Sequence, residues 1–557
     1  METKLLIIGG VAGGATAAAR ARRLNEHARI ILFERGEHIS FANCGLPYYI
    51  GGVITKREQL LVTTIHDFTE RYNIDIRIFS EVTKIDRSHK EVEVRNIRTG
   101  ETYRESYDRI ILAPGAEPIR PPVPGIGLPH IFSLRNIPDA DGIADYVDKE
   151  KPESAVIVGG GFISLEMTEN LVKRGCKVTI VEMLDQVMNV LDYEMAAMVQ
   201  KHLEEKGVVC MLGCTVTSFK KKAGRIAVFT DKGGEIDADA VLVTVGVRPE
   251  SRLAKEAGLD IGTTGAVKVD ASLRTSDPDI FAVGDAAEVK DLVTGAPVIV
   301  ALAGPANKEG RIAADNAMGR ASVFKGTLGT AIVKVFDITV AATGASEKRL
   351  NLHHIPYLVS YTHPGSHAAY YPGAQVMAIK LLFSPTDGKV LGAQIVGGEG
   401  VDKRIDVLAT AMKAGMTVYD LEELELAYAP PYSSAKDPVN IAGFTAANIL
   451  KGDVEQVVWS DLPGLDCEKN VLIDLRNPGE LTQEGTMPGC LHIPLPQLRK
   501  RLAELDKSKC YVPFCAAGLR SYIGHRILTQ HGFKSRSIAG GFRLLKGVGH
   551  KVGAKVK

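Results

Sequence analysis

The sequence predicts an α/β protein of several domains, and three observations lead to this fold class. The chain has 557 residues and 56 glycines, a length that corresponds to three or four domains with many tight turns. A strand–glycine turn–helix–strand pattern occurs at residues 4–34 and again at residues 154–182. A further apolar strand, residues 509–514, ends at Cys515 and leads into a glycine-containing loop. Short apolar strands that alternate with helices are typical of sheets covered by helices.

Composition excludes several classes of protein. Lys plus Arg number 67 and Asp plus Glu number 66, a balance that argues against nucleic acid and membrane surfaces as partners. No apolar run approaches the roughly 18 residues of a membrane span, and the N-terminus runs directly into a strand, so no signal peptide is expected. Cys210 and Cys214 lack the second pair that a zinc site needs, so no metal site is predicted. A reducing, cytoplasmic location is expected.

The first glycine turn predicts a dinucleotide-binding site of the Rossmann type. Residues 4–8 form a strand, residues 9–14 the turn, residues 15–24 a helix and residues 29–33 a second strand. The fingerprint is Gly9-x-Val11-x-x-Gly14, in which Val11 replaces the usual second glycine. Glu34 lies twenty residues beyond Gly14, where a carboxylate would bind a ribose hydroxyl. Strand, turn, helix, strand and acid at this spacing indicate a bound dinucleotide.

The second glycine turn predicts a second nucleotide. Residues 154–158 form a strand, residues 159–164 the turn, and a strand over residues 177–181 ends at Glu182. Residues 183–185 contain no Lys or Arg to bind a 2′-phosphate. The second nucleotide is therefore predicted to be NADH and not NADPH.

Three more segments, residues 107–116, 240–249 and 275–285, each contain the end of a predicted strand. With the two fingerprints they resemble the two-dinucleotide-binding flavoproteins, the pyridine nucleotide–disulfide oxidoreductases. In that family the first fingerprint binds FAD, the second binds NAD(P)H, and a helix, here residues 304–316, directs its N-terminus at the flavin ring. The resemblance implies FAD contacts from Gly9, Gly10, Val11, Ala12, Gly14, Glu34, Arg35, Asp285 and Pro305. It implies NADH contacts from Gly159, Gly161, Phe162, Ile163, Ser164 and Glu182.

Cys44 is the predicted redox centre. Most disulfide reductases of this family have a second cysteine five residues after the first, and here that position is Tyr49. Cys44 must therefore form a mixed disulfide with a small thiol, or a sulfenic acid. Residues 40–48 resemble the single-cysteine branch, which contains coenzyme A-disulfide reductases, NADH oxidases, NADH peroxidases and persulfide reductases. Peroxidase-like members have a histidine in the first turn, where Val11 and Ala12 stand here, and this favours coenzyme A chemistry. The alternative is an inert core cysteine.

Coenzyme A contacts are predicted on the first helix. Thr16, Arg20 and Arg23 share one helix face, and two guanidiniums suit the phosphates of coenzyme A. The resemblance adds Ser40, Asn43, Asn307 and Lys436 to these contacts. Where related reductases have a lysine, this chain has Arg71 or Tyr72. The alternative for Arg20 and Arg23 is a solvated helix face.

Residues 324–446 are predicted to form an α/β dimerisation domain. Tyr370 and Tyr428 resemble a tyrosine pair of coenzyme A-disulfide reductases that reaches the active site of the partner subunit. Their phenols would protonate or hydrogen-bond the leaving thiolate, and a homodimer is implied. The alternative is a pair of buried interface tyrosines.

The C-terminal domain resembles a rhodanese, a sulfurtransferase. Cys515 is followed by the loop Ala516, Ala517, Gly518, Leu519 and Arg520. Successive backbone N–H groups of such a loop stabilise a thiolate or persulfide, and its six-residue length suits a sulfane sulfur. Asp474, Arg476 and Glu480 match the scaffold of that domain. The alternative is a buried cysteine that ends a core strand.

The predicted domain borders follow from these segments. An FAD-binding domain comprises residues 1–118 and 247–323, an NADH-binding domain residues 119–246, the dimerisation domain residues 324–446, a linker residues 447–460 and the rhodanese domain residues 461–557. The predicted reaction is NADH-dependent reduction of coenzyme A disulfide, coenzyme A persulfide or polysulfide through Cys44, with the acceptor left open. The alternatives are an NADH oxidase or peroxidase with a sulfenic Cys44, and a redox-sensing sulfur carrier.

Overall fold

The computed structural model describes residues 3–466 and 468–549, and it divides into two compact units. The first unit comprises residues up to 185 together with residues 207–329. The second comprises residues 186–206 and the chain from residue 330 onward. The α/β class, with two dinucleotide-binding domains, a dimerisation domain and a C-terminal rhodanese-like domain, is confirmed. The predicted borders between the domains stay predictions.

Two parallel five-stranded sheets form the centre of the first unit. The first has the order Ile280–Ala282, Arg109–Leu112, Lys4–Ile8, Arg29–Phe33 and Asp75–Arg77. The second has the order Val209–Leu212, Lys177–Glu182, Ser154–Val158, Ala240–Val243 and Ile131–Phe132. Their strands are nearly continuous apolar runs, because helices cover both faces of a parallel sheet. In both sheets the glycine turn therefore follows a central strand at its carboxyl end, the usual position of a nucleotide site.

Helices of the first unit follow these strands. They are Ala12–Leu24, Leu46–Ile50, Ile65–Tyr72, Ile137–Glu150, Phe162–Lys173, Arg252–Glu256 and Ala303–Ala317. Two antiparallel three-stranded sheets are added, Ser80–Asp86 with Glu91–Asn96 and Thr102–Ser106, and Val216–Lys222 with Arg225–Thr230 and Glu235–Ala238. A short two-stranded sheet pairs Ala116–Pro118 with Val247–Pro249, and a short three-stranded sheet has the order Val267–Lys268, Ala287–Lys290 and Pro297–Val298.

The second unit contains an antiparallel five-stranded sheet. Its order is Ala331–Val335, Ile338–Gly344, Val390–Gly397, Met377–Phe383 and Leu358–Thr362. The strands Met377–Phe383 and Val390–Gly397 are buried throughout, because helices cover the sheet. The helices of this part of the unit are Tyr193–Glu205, Glu347–Leu352, Val401–Ala414, Val418–Glu423 and Pro438–Leu450.

A parallel four-stranded sheet forms the C-terminal part of the second unit. Its order is Leu491–His492, Asn470–Asp474, Cys510–Phe514 and Lys534–Ser535. Its helices are Pro478–Glu484, Leu495–Leu498, Leu519–Gln530 and Gly541–Gly547. Residues 447–460, the predicted linker, contain the end of a helix and the strand Gln456–Val457, which pairs with Ser537–Ile538. The strand of this segment thus pairs with a strand of the C-terminal fold, and the linker stays a prediction.

A buried ion cluster joins the helix Tyr193–Glu205 to the antiparallel sheet. Lys380, fully buried, makes ion pairs with Asp192 at 2.8 Å and with Glu194 and Glu347. The three carboxylates lie close enough together to bind a cation, and the Lys380 ammonium occupies that position. Tyr361 donates a hydrogen bond to Glu194 at 2.7 Å. Because each buried charge is paired, the cluster is a structural anchor.

Among residues 3–466 and 468–549, no helix is both long enough and apolar enough to cross a membrane.

Candidate functional site

Cys44 lies in a tightly fixed segment between the first sheet and a short helix. Ser40 adopts a left-handed φ of 47°, and its N–H donates to the Gly10 carbonyl at 2.9 Å. The Ala42 N–H donates to the Leu60 carbonyl at 2.8 Å. A left-handed conformation is uncommon for serine, so the surrounding hydrogen bonds hold this backbone in place. Cys44 follows in a 3₁₀ turn, Asn43–Gly45, as a free and exposed thiol.

Among charged groups, Glu166 shifts the pKa of the Cys44 thiol most. Although Cys44 is accessible to solvent, desolvation by the surrounding protein raises the pKa of its thiol, and Glu166 raises it further. A backbone hydrogen bond lowers that pKa, and Asp285 adds a smaller increase. Cys44 is thus disfavoured as a thiolate, and neutralisation of Glu166 removes one part of this effect.

Tyr48 and Glu166 form a pair beside Cys44. The Tyr48 hydroxyl donates to Glu166 Oε1 at 3.4 Å. Burial raises the pKa of Glu166 to about 7, the Tyr48 hydrogen bond lowers it and Glu169 raises it. Burial and Glu166 together raise the pKa of Tyr48 to about 12. Glu166 can therefore exchange a proton near neutral pH, while Tyr48 stays a neutral hydrogen-bond donor.

Two more carboxyl groups, those of Glu309 and Asp285, lie near the end of the strand Ile280–Ala282. Burial raises the pKa of Glu309 to about 7, and its Oε2 accepts a hydrogen bond from the Gly284 N–H at 2.7 Å. Burial likewise raises the pKa of Asp285. Asp285, predicted to contact FAD, therefore lies in a buried polar site that also contains Glu309.

The first glycine turn fits a dinucleotide. Gly9 has a φ of 99°, and a Cβ there would lie 2.1 Å from the Ala113 carbonyl oxygen. Glu34 accepts hydrogen bonds from the Gly10 N–H at 2.9 Å and the Gly36 N–H at 2.7 Å, which fix its carboxylate beside the turn. Among the described residues, no side chain caps the helix Ala12–Leu24. Its first N–H groups are left to bind a pyrophosphate.

Hydrogen bonds also fix the second glycine turn, where a nucleotide is predicted to bind. Ser164 is fully buried, accepts from the Gly161 N–H at 3.2 Å and lies 2.8 Å from the Thr244 hydroxyl. Ser164 therefore stabilises the turn from its buried side. Glu182 Oε1 accepts from the Leu184 N–H at 2.8 Å, at the end of its strand.

The predicted coenzyme A residues of the first helix have partners on the helix Ala303–Ala317. Thr16 donates to Asn307, and Arg20 Nε donates to Asp315 Oδ1 at 2.7 Å. The guanidinium of Arg23 lies 5.8 Å from the centre of the Tyr72 ring. Arg20 thus has a structural ion pair that the sequence did not indicate. The coenzyme A contacts of this group, and those of Ser40, Asn43 and Lys436, stay predictions.

Tyr370 and Tyr428 come together in the second unit. Their hydroxyl oxygens are 2.6 Å apart, and this hydrogen bond raises the pKa of Tyr370. Tyr370 is 75% exposed and Tyr428 is 47% exposed. Exposure in one subunit is compatible with a catalytic role and with the alternative of tyrosines buried at an interface, so the catalytic role stays a prediction.

Cys515 ends a core strand and lies beneath the loop that follows it. The Gly518 N–H donates to Cys515 Sγ at 3.2 Å, and the Ser521 hydroxyl lies 3.8 Å from the sulfur. The loop then enters the helix Leu519–Gln530. A backbone N–H and a helix N-terminus directed at sulfur both stabilise negative charge.

Arg520 of this loop is held by Glu480. Its two terminal nitrogens donate to the two Glu480 carboxylate oxygens, each at 2.6 Å. The Arg520 hydrogen bond is the main reason why the pKa of Glu480 falls to about 2. Cys515 also interacts with the Arg520 guanidinium. Arg520 is therefore a fixed positive charge beside the sulfur.

Residues 3–310 match the pyridine nucleotide-disulphide oxidoreductase family, residues 330–438 match its dimerisation domain, and residues 463–547 match the rhodanese-like domain. The chain belongs to the pyridine nucleotide-disulphide oxidoreductases. It is similar to the coenzyme A disulfide reductase of Staphylococcus haemolyticus, with 36% identity over 80% of this chain and 100% of that protein.

Two solved structures extend the similarity through the C-terminal domain. Reduced Bacillus anthracis CoADR-RHD has 49% sequence identity and a TM-score of 0.96, with 98% of each chain covered. The NAD-dependent persulfide reductase of A. fulgidus has 38% identity and a TM-score of 0.92, with 97% of this chain and 100% of that one covered. This pyridine nucleotide-disulphide oxidoreductase therefore uses FAD and NADH, and it carries a rhodanese domain.

Sequence reasoning missed the roles of Glu166, Tyr48 and Glu309. Glu166 is separated from Tyr48 by 118 residues, and no local pattern marks such a pair. The only available signal was position, because Glu166 lies in the first turns of the helix that follows the second fingerprint.

Proposed function

We propose that this enzyme uses NADH and FAD to reduce coenzyme A disulfide or coenzyme A persulfide through Cys44. The observation that carries the proposal is an exposed, free thiol in a fixed segment, with a titratable carboxyl beside it. Position 49 holds a tyrosine, so no second cysteine follows at the usual spacing. The similarity to the coenzyme A disulfide reductase and to the persulfide reductase supports this substrate class.

The proposed acceptor reaction is a thiol–disulfide exchange. The Cys44 thiolate attacks a coenzyme A sulfur, forms a Cys44–S–S–coenzyme A bond, and releases coenzyme A thiolate from the disulfide or hydrosulfide from the persulfide. Two electrons then cleave the mixed disulfide into the Cys44 thiolate and the coenzyme A thiolate. FAD, when bound, supplies those two electrons, which it receives from NADH.

Glu166 would hold the proton that this exchange needs. With a pKa of about 7 and a hydrogen bond from Tyr48, its carboxyl can be neutral or charged under working conditions. A neutral Glu166 favours the Cys44 thiolate, because it removes the negative charge that raises the pKa of that thiol most.

We propose for Cys515 the role of a sulfane sulfur carrier. Its thiolate would take a sulfur atom from a donor RS–S⁻ and release RS⁻. The resulting persulfide would pass that sulfur to the coenzyme A thiol. The Gly518 N–H and the Arg520 guanidinium support this role, since both stabilise an anionic sulfur. The enzyme is proposed to act as a homodimer, as its dimerisation domain supports.

Two cysteine variants separate the two proposed roles. Cys44→Ser should keep bound flavin and its reduction by NADH, but it should lose at least about 100-fold of the turnover with preformed coenzyme A persulfide, because serine forms no mixed disulfide. Cys515→Ser should keep that turnover and lose sulfide release from a thiosulfate donor in the presence of coenzyme A. Cys210→Ser, a half-buried cysteine elsewhere in the first unit, is the matched control.

Retention of wild-type persulfide turnover by Cys44→Ser would contradict the proposal. A sulfenic acid on Cys44 and NADH turnover with oxygen or peroxide alone would favour the oxidase or peroxidase alternative. Slow turnover with every acceptor would favour a redox sensor.

A further inference from the structure

Two loops of the second unit carry the tyrosine pair. Tyr370 lies in the first tyrosine loop, residues 363–376, which joins two strands of the antiparallel sheet. Tyr428 lies in the second tyrosine loop, residues 424–437, which joins two helices. The two hydroxyl oxygens are 2.6 Å apart, and both side chains are exposed. Because exposed side chains gain little from packing, the placement of this pair depends on the backbone of the two loops.

Arg404 joins the two tyrosine loops in the interior of the domain. Its Nη2 donates to the Ser366 carbonyl of the first loop at 2.9 Å. The same nitrogen lies 3.1 Å from Ser433 Oγ and 3.0 Å from Asp437 Oδ2 of the second loop. Each of these four residues is at most 3% exposed. A guanidinium presents several donors in one fixed plane, so it can hold two segments at a set distance.

Backbone hydrogen bonds connect this joint with the tyrosines. The Ala368 N–H of the first loop donates to the Ser433 carbonyl at 3.0 Å, and the Ser433 N–H donates to the Ala429 carbonyl at 3.1 Å. Ala368 is two residues from Tyr370, and Ala429 directly follows Tyr428. Ser433 is therefore hydrogen-bonded to backbone within two residues of each tyrosine.

The start of its helix places Arg404. The helix Val401–Ala414 follows Gly400, which has a left-handed φ of 76°, and the Gly400 carbonyl accepts from Arg404 Nη1 at 3.2 Å. A Cβ on Gly400 would lie 2.3 Å from that nitrogen, so the close approach needs a glycine. The guanidinium is thus held at the helix start while its other terminal nitrogen reaches the loops.

Asp437 balances the charge of Arg404. Its Oδ1 accepts from the Val439 N–H at 3.0 Å, and its Oδ2 accepts from the Ser433 hydroxyl at 2.6 Å. Burial raises the pKa of Asp437, but these hydrogen bonds and Arg404 outweigh burial and lower it below the usual value. The ion pair therefore stays charged at neutral pH. It also fixes the backbone beside Lys436, a predicted coenzyme A contact.

We propose that Arg404 is a positioning residue of the acceptor reaction: by joining the two tyrosine loops, it holds Tyr370 and Tyr428 where their hydroxyl groups can hydrogen-bond the leaving thiolate in the site of the partner subunit. The inference rests on the proposed reaction at Cys44 and on the predicted role of the tyrosine pair. Arg404 acts through the loop backbone, because its side chain is buried and its hydrogen bonds go to the two loops and to the start of its own helix.

A double-mutant cycle in the full-length, flavin-loaded enzyme tests the inference. Arg404→Lys keeps a positive charge beside Asp437 but lacks the planar set of donors that reaches both loops. It is combined with Tyr428→Phe, which removes the hydrogen bond of the pair. Arg476→Lys is the matched control, because Arg476 is an equally buried arginine, paired with Asp474 at 2.7 Å in the C-terminal domain. Stopped-flow absorbance measures flavin reduction by NADH and the subsequent reaction with preformed coenzyme A persulfide.

The expected result is a loss that is confined to the acceptor step and depends on the tyrosines. Arg404→Lys should slow the reaction with coenzyme A persulfide by about fivefold in the wild-type background and by less than about twofold in the Tyr428→Phe background, because residues that act through one another are not additive. Flavin reduction by NADH should stay within about twofold in every variant. Arg476→Lys should match the wild type in both steps.

A second variant covers the case in which Arg404→Lys does not fold. Ser433→Ala removes one hydroxyl of the joint and leaves the ion pair of Arg404 with Asp437 in place. It should slow the acceptor step by about two- to threefold, as expected for one hydrogen bond, and it should have no effect in the Tyr428→Phe background. Sedimentation and flavin content show whether each variant is folded and dimeric.

Four results would overturn the inference. They are wild-type acceptor rates in Arg404→Lys and Ser433→Ala, losses of the same factor with and without Tyr428→Phe, a parallel loss of flavin reduction by NADH, and a wild-type acceptor rate in Tyr428→Phe itself. Failure of the proposed function is distinguishable, because Cys44→Ser would then retain the wild-type turnover with coenzyme A persulfide.

Discussion

At the scale of single residues, the chemistry depends on the charge state of Glu166. Its pKa is raised from 4.5 to about 7, so the carboxyl is mostly neutral at pH 6 and mostly charged at pH 8. The charged form raises the pKa of the Cys44 thiol. Between about pH 6 and pH 8, where Glu166 loses its proton, the reactivity of Cys44 should therefore increase less steeply with pH than that of an isolated thiol.

Glu166→Gln should make Cys44 more reactive at alkaline pH. Without the negative charge, alkylation of Cys44 at pH 8 should be roughly three- to tenfold faster than in the wild type, since about 1 kcal/mol of charge coupling corresponds to a change of this size. At pH 6 the two rates should converge, because wild-type Glu166 is then mostly protonated. The measurement is the alkylation rate of Cys44 between pH 5.5 and pH 9. Glu70→Gln, at an exposed acid of the first unit, is the control, and equal rates for Glu166→Gln and the wild type at pH 8 would contradict the account.

Residues marked by their neighbours along the chain could be predicted from the sequence, and the pair Tyr370 and Tyr428 followed from the family resemblance, but other pairs of distant residues could not be predicted. Cys44 and Cys515 are marked by their neighbours along the chain. The partners of Tyr48 and Arg20 come from segments that only the folded chain brings close. For Arg20, a plausible phosphate contact proved to have a carboxylate partner, Asp315.

At the scale of elements, the strand–turn–helix units could be predicted because their signals are local. The strands Arg29–Phe33 and Ser154–Val158 have the bounds that the apolar runs predict. The first helix begins at Ala12, earlier than the predicted residue 15, and the second begins at Phe162, within the predicted turn 159–164. The glycine turns are short enough for the helix to start within the fingerprint. The antiparallel order of the dimerisation sheet has no such local signal, since strand pairing is set by contacts distant in sequence.

NADH should be preferred over NADPH by the second nucleotide unit. The strand Lys177–Glu182 ends with a carboxylate that the Leu184 N–H fixes at 2.8 Å. In this position a carboxylate would bind a ribose diol and repel a 2′-phosphate. The ratio kcat/KM for NADH should exceed that for NADPH by about tenfold or more, and Glu182→Gln should reduce the difference. An advantage for NADPH would refute the role of Glu182.

At the scale of the whole molecule, the buried ion cluster should determine the stability of the second unit. Burial disfavours a charged Lys380, but Tyr361, Glu194, Asp192 and Glu347 raise its pKa well above the usual value. Lys380→Met would leave the carboxylates of Glu194, Asp192 and Glu347 without their counter-charge. We expect a loss of about 3–5 kcal/mol, as for other buried pairs with one partner removed.

The sole tryptophan reports this loss directly. Trp459 lies in the second unit, with its ring 5.6 Å from that of Tyr193. The urea midpoint of its fluorescence should fall clearly in Lys380→Met. It should stay unchanged in Lys389→Met, at an exposed lysine of the same domain. Equal midpoints for the wild type and Lys380→Met would show that the cluster is not an anchor.

The tyrosine pair should link activity to dimerisation. Tyr370 and Tyr428 are exposed in one subunit and hydrogen-bonded to each other, as expected if they complete the site of a partner. Tyr428→Phe should lower turnover with coenzyme A persulfide by about tenfold and leave flavin reduction by NADH unchanged, because it affects the acceptor half-reaction only. Stopped-flow absorbance measures both steps. Sedimentation that shows a fully active monomer would remove this role.

The central claim is that one thiol, Cys44, carries coenzyme A as a mixed disulfide during turnover. The most direct measurement is peptide mass spectrometry of the wild-type enzyme after reaction with coenzyme A disulfide, before and after addition of NADH. We predict a coenzyme A adduct on the Cys44 peptide that disappears within the turnover time when NADH is added. An adduct confined to another cysteine, or a Cys44 adduct that survives NADH, would contradict the account.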